Sequence, residues 1–275
     1  LGMPNGWNNP LVWATNILKG LWLIVMPNKY PKWLVLEVGV GKPGDMKQTA
    51  SWLKTDIVIV TAIGETPAHI EFFESRKHLV EEKSGLIKTL KKNGTLILNK
   101  DDEAVFELKN KTKNKTLTFG FSEGADIIGS ALNISYDKKE VPEGIVFRID
   151  DRGSSLPVEI EGVFGKNHVY ASLAALTVAV DLELNMLKAI NSLKNYDVPP
   201  GRMRLLKGIN ESLIIDDTYN SSPFACETAL RTLEEVKGGR KIAILGDMLE
   251  LGKHTIEAHK NIGAVAEKNV DILVV

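Results

Sequence analysis

The chain carries a single cysteine, Cys226, among its 275 residues. One thiol builds neither a disulfide framework nor a thiolate metal site, and it fits a reducing compartment. Long hydrophobic runs are missing too. The longest, residues 17–26, is interrupted by Lys19 and Gly20, far short of the roughly 20 apolar residues a membrane span needs. No basic segment followed by an apolar core and a small-residue cleavage site opens the sequence, so no signal peptide is read and a cytoplasmic location is expected. There is no excess of charge of either sign. The 34 Lys+Arg and 35 Asp+Glu leave a formal net charge of −1, which argues against a polyanion-binding surface and gives no support to a nucleic-acid partner. Also absent is the G-x-x-x-x-G-K-[S/T] phosphate loop. Residues 39–43 look superficially similar, but Pro43 cannot begin the required helix with a hydroxyl for Mg²⁺. The sequence starts at Leu1 and stops at Val275, the last residue of an apolar strand pattern. Both ends read as cut, and a fragment is expected.

What is present is ordinary globular material, 44% hydrophobic and 25% charged, enough for one large domain or two medium ones. Short runs rich in Val, Ile and Leu at 33–38, 56–61, 95–99, 213–216, 241–245 and 271–275 predict strands covered on both faces, as in parallel sheets. Helical periodicity lies between them at 75–92, 167–184, 223–236 and 255–269, with a further helix over 186–193. Such alternation predicts an α/β fold. Residues 113–163 differ, with short alternating runs at 116–119, 131–136, 144–149 and 156–160, and predict a small antiparallel meander. Pro199, Pro200 and Gly201 stop any arriving helix and mark a boundary near residue 200.

Polar groups cluster just after the strand runs, where open parallel sheets bind ligands. Glu37 ends the first run, His69 follows the second, Asp216 and Asp217 end the run at 213–216, and Asp247 and Glu250 follow 241–245. Together they suggest a polar cleft suited to a hard cation such as Mg²⁺. Each also has a plainer reading. Asp216 and Asp217 start a turn or cap a helix, His69 is a satisfied core histidine, and Glu250 sits in a first helical turn. Lys83 falls on the apolar stripe of Leu79, Leu86 and Leu90. It is either snorkelling out of the core or held inside, where desolvation frees its amine for covalent reaction.

Several segments carry a resemblance to a known family. Residues 34–39 (LVLEVG), 61–64 (TAIG) with 68–71 (AHIE), Glu82–Lys83, and 97–102 (ILNKDD) resemble the central domain of the Mur ligases. Residues 200–203 (PGRM), 215–220 (IDDTYN) with Pro223, and 245–252 (LGDMLELG) with His259 resemble the branch of that family that adds D-alanyl-D-alanine to a UDP-N-acetylmuramoyl peptide. The resemblance implies an α/β fold with a mostly parallel-sheet, ATPase-type central domain over 1–199, its phosphate loop missing, and a truncated Rossmann-like C-terminal domain over 200–275.

It also implies a reaction. ATP phosphorylates a peptide carboxylate to an acyl phosphate, and the amine of an incoming amino acid or dipeptide attacks it to form an amide. By position, Glu37 and His69 match the family's metal-binding residues, and Lys83 matches its carbamylated lysine; these three are the expected catalytic and Mg²⁺ residues. Asn167 and His168 occupy the place of an adenine-contacting pair, in reversed order. Arg202, Asp217 and Tyr219 match nucleotide contacts. Asn8, Asn9, Asn220 and Ser222 match positions near the substrates. The implied cofactors are ATP and Mg²⁺, acting in a cytoplasmic monomer without nucleic acid or membrane span. The family's carboxylate after the lysine is replaced by Ser84–Gly85. Two other readings stand beside this one, a non-catalytic binding or scaffold relative and a folylpolyglutamate synthase-like amide ligase.

Overall fold

A computed structural model describes residues 9–26, 31–65, 67, 69–151 and 153–275. The chain divides into two compact units, one ending at Gly39 and one starting at Val40. In the first, helix α1 (Pro10–Val25) takes up most of the apolar run noted at 17–26. Pro10 sits at its first position, and the Asn9 side chain caps it by accepting from the N–H groups of Leu11 and Val12 at 3.1 and 3.3 Å, an arrangement that satisfies otherwise orphaned donors. Residues 33–38, expected as a strand, form none. No described strand pairs with them, and Trp33, Leu34, Val35 and Leu36 stay exposed. An apolar run becomes a strand only where a partner takes up its backbone groups.

The second unit is built on one six-stranded sheet of β1 (Thr55–Val60), β2 (Leu90–Asn99), β3 (Lys115–Gly120), β4 (Ile127–Tyr136), β5 (Pro142–Asp151) and β6 (Ser154–Glu161), in that order. Pairings from β1 to β4 are parallel, and those from β4 to β6 are antiparallel. The meander is therefore the continuation of the parallel sheet. The run at 116–119, expected in the meander, belongs to the parallel half, because β3 runs alongside β2 from Thr95↔Lys115 to Asn99↔Phe119.

Helix α2 (Asp45–Trp52) precedes β1, and α3 (Arg76–Ser84) starts at a Ser75 cap. The helix expected over 75–92 stops at Ser84 and becomes a 3₁₀ turn, Gly85–Thr89. At Gly85 a Cβ would lie 2.8 Å from Met46 Cγ, and from Leu90 the backbone is drawn into pairing with β1. Sheet pairing overrides the helical periodicity of 86–90. The short helix α4 (Glu103–Phe106) follows β2. Helix α5 (Lys166–Asp181) packs Val169, Leu173 and Leu176 on Ile97, Phe119, Ile127 and Phe147 of the sheet, and α6 (Met186–Leu193) lies beyond it.

Past Gly201, β7 (Arg204–Lys207) and β8 (Leu213–Asp216) form an antiparallel hairpin. The segment 213–216, expected as a strand covered on both faces, leaves Leu213 and Ile214 exposed. Its connection to β7 is too short for the crossover that a parallel pair requires. A second core gathers Cys226 and Leu230 from α7 (Pro223–Glu235), Ala243 from β9 (Ile242–Ile244), and Ala258, Ile262 and Ala266 from α8 (Thr255–Asn269). Strand β10 (Ile272–Val274) pairs parallel to β9. No helix among the described residues is long and apolar enough to cross a membrane.

Candidate functional site

The parallel half of the sheet brings its carboxyl-terminal loops side by side, and two adjacent aspartates lace them together. Asp102, just after β2, caps α4 by accepting at Oδ1 from the Val105 N–H at 3.1 Å. Its Oδ2 accepts from the N–H groups of Ile63 at 2.7 Å and Gly64 at 3.0 Å, in the loop after β1. Asp101 reaches the loop after β3, accepting from the N–H groups of Phe121 at 2.7 Å and Ser122 at 2.9 Å, and from the Tyr170 hydroxyl at 2.7 Å. Burial pushes the Asp101 carboxyl up, but these donors outweigh it and hold it below its ordinary value. Burial and the bond to Asp101 push the Tyr170 phenol far up. The motif at 97–102 was visible in the sequence, but its task was not. Two carboxylates straight after a strand, at the end where several loops present N–H groups, are the signal that marks it.

Lys83 lies on α3 and is half-buried. Burial lowers its ammonium pKa, and the nearby Asp102 charge opposes that shift. His69 has a left-handed backbone (φ 68°) and its Nδ1 lies in polar contact with Glu250 Oε2. The Glu71 N–H donates to the Glu250 carbonyl at 3.4 Å, so the 245–252 segment docks on the loop that carries His69. Glu37 belongs to the first unit and is exposed there. Among the described residues no three His, Cys, Asp or Glu side chains gather as a metal cage.

A second cluster forms where the sheet meets the C-terminal segment. The turn Gly201–Met203 is held along its backbone. The Gly201 N–H donates to Asp216 Oδ2 at 3.1 Å, and the Met203 N–H to Asp217 Oδ1 at 3.0 Å. The Tyr219 N–H donates to the Gly201 carbonyl, and the Phe164 N–H to the Met203 carbonyl, both at 3.1 Å. The Arg202 carbonyl lies 2.9 Å from His168 Nε2. With a carbonyl as partner, Nε2 is the protonated nitrogen, and burial lowers the His168 pKa against that bond. Burial likewise raises the Asp217 carboxyl against the Met203 N–H. Gly201 has φ +71°, and a Cβ there would lie 2.6 Å from the Tyr219 nitrogen.

From this fixed turn the exposed Arg202 guanidinium stacks over the Tyr219 ring, 4.0 Å from its centroid. A guanidinium stacked on an aromatic face keeps its fork of donors for an anion such as a carboxylate or phosphate. The structure thus brings Arg202, Asp217, Tyr219 and His168 together. Asn167 is exposed on the first turn of α5. Asn220 accepts from the Ser221 N–H and Ser222 caps α7, both within their own loop. Asn9 caps α1 in the first unit, and Asn8 lies outside the described residues.

Residues 16–179 match the Mur ligase middle domain, and residues 201–275 match the Mur ligase glutamate ligase domain. The chain belongs to the Mur ligase family. Among curated relatives, the UDP-N-acetylmuramoyl-tripeptide–D-alanyl-D-alanine ligase of Bacillus subtilis (strain 168) is 30% identical over 232 residues, covering 84% of this chain and 48% of that one. The enzyme of the same name from Buchnera aphidicola subsp. Baizongia pistaciae (strain Bp) is 28% identical over 237 residues, covering 86% and 49%. Among solved structures, the MurF ligase of Thermotoga maritima in complex with ADP superposes with a TM-score of 0.72 at 26% identity, over 85% of this chain and 56% of that one. MurF from Acinetobacter baumannii, at 23% identity, shares the fold with a TM-score of 0.76 over 86% and 50%. The chain spans about half the length of the curated relatives it matches.

Proposed function

We propose that this chain is the middle domain (residues 1–199) and C-terminal domain (residues 200–275) of an ATP-dependent amide ligase that joins D-alanyl-D-alanine to a UDP-N-acetylmuramoyl peptide in the cytoplasm. The carboxylate of the peptide attacks the γ-phosphorus of ATP, releasing ADP and leaving an acyl phosphate. The dipeptide's amine then attacks the acyl carbon, loses a proton, and expels inorganic phosphate as the amide forms. The observation that carries this reading is the clamped turn that presents Arg202 over Tyr219 beside Asp217. In it Arg202 faces the nucleotide's phosphates, Asp217 and Tyr219 lie along the ribose and base, and Asn167, exposed on the first turn of α5, is assigned to the adenine. Asn8, Asn9, Asn220 and Ser222 are assigned to the substrates. Glu37, His69 and Lys83 as a carbamate are assigned to Mg²⁺ and to the reacting phosphate, with the protein acting as a monomer. The relatives' names do not favour a folylpolyglutamate synthase-like activity or a non-catalytic role. Full-length protein is expected to release phosphate from ATP only when the UDP-linked peptide and D-alanyl-D-alanine are both present. Release with neither substrate, or none with both, would contradict the assignment.

A further inference from the structure

We propose that His168 is a positioning residue for Arg202, its buried imidazole holding the backbone of the turn that presents the guanidinium. The inference rests on Arg202 being a nucleotide contact. Four backbone groups of Gly201 and Met203 are held by the Asp216 and Asp217 carboxylates and by the N–H groups of Tyr219 and Phe164. The remaining carbonyl, that of Arg202 itself, is taken by a side chain of α5. Helix α5 is seated in the sheet's core through Val169 and Leu173, both fully buried. His168 therefore ties the arginine's own peptide group to a helix packed in the core of the second unit.

The geometry assigns His168 to this task and not to direct ligand contact. The residue is only 8% exposed, its Nε2–H is spent on the Arg202 carbonyl, and its ring packs edge-on against Tyr196 with centroids 5.7 Å apart. Burial favours the neutral imidazole, so His168 brings no cation to a phosphate. The exposed neighbours Arg202 and Tyr219 meet solvent, and His168 stands behind them. A part-buried carbonyl that loses its donor would let the turn relax and swing the guanidinium, since an acceptor shielded from water and left unpaired is costly.

The test measures ATP affinity in the full-length protein for His168→Leu, His168→Gln, Arg202→Ala and the double variant His168→Leu/Arg202→Ala, with thermal melting to confirm folding. Glutamine keeps an N–H donor and is expected to bind within about twofold of wild type, while leucine weakens binding about tenfold, the order of one lost hydrogen bond. The double variant binds no more weakly than Arg202→Ala alone, because both changes act through one group. Losses that multiply, or a leucine variant that binds like wild type, overturn the role of His168. Arg202→Ala binding like wild type overturns the nucleotide reading beneath it, so the two failures are told apart. If the leucine variant does not fold, ¹⁵N-histidine NMR of the unaltered protein decides. An Nε2-bound proton protected from exchange and unmoved by ATP supports the proposal, and one displaced by ATP overturns it.

Discussion

At the scale of single residues, carboxylates do most of the organising. Asp101 and Asp102 hold the loops after β1 and β3 through backbone N–H groups, and Asp216 and Asp217 hold the turn at 201–203. The sequence made Asp217 a candidate by resemblance, yet it left Asp101 and Asp102 without a task, because a carboxylate's partners here are backbone groups that no side-chain pattern records. The place of Lys83 among Leu79 and Leu86 left two readings open, a side chain snorkelling out of the core and one held inside; the residue is half-buried, and burial lowers its pKa. The Asp101 carboxyl, held below its ordinary value, gives a pH prediction. A group whose folded pKa is depressed adds stability that is present above the unfolded pKa of about 3.9 and lost as pH falls through the folded value. Denaturant titrations from pH 6 down to pH 2 are expected to show a shallower acid loss for Asp101→Asn than for wild type. Identical acid limbs would refute this.

Secondary-structure elements were read from the sequence where local pattern and tertiary pairing agree. Helix α8 occupies 255–269 as its periodicity demands, and β8 falls on 213–216. They were misread where pairing decides. The helical pattern after Ser84 yields to the pairing of β2 with β1, and the apolar run at 33–38 finds no described partner. Neither outcome is encoded in periodicity, which is blind to what lies across the ladder. Two consequences follow at this scale. Leu173, fully buried where α5 meets the sheet, is expected to cost about 2–5 kcal/mol on substitution by Ala, read as a drop in the denaturation midpoint with an unchanged slope. Gly201→Ala combines a positive φ with a Cβ 2.6 Å from the Tyr219 nitrogen. It is expected to destabilise by roughly 1–3 kcal/mol and to weaken ATP binding, because the strain falls on the turn that carries Arg202. A variant as stable as wild type would mean that the turn gives way easily.

For the molecule as a whole, the six-stranded sheet supplies the frame and the C-terminal segment supplies the groups that face it. The junction is made by short, directional contacts: Phe164 with Met203, His168 with Arg202, and His69 with Glu250. The α/β class was legible because alternation of strand and helix is a whole-chain signal. The junction was legible only in its motifs, since the backbone bonds that assemble it join residues far apart in the chain. The central claim concerns what the assembled protein makes. The most direct measurement is mass spectrometry of full-length protein incubated with ATP, a UDP-N-acetylmuramoyl peptide and D-alanyl-D-alanine. The account predicts a product heavier than the acceptor by one dipeptide less one water, formed with stoichiometric ADP and phosphate, and strongly reduced in Arg202→Ala. An unchanged acceptor with all three reactants present would contradict it.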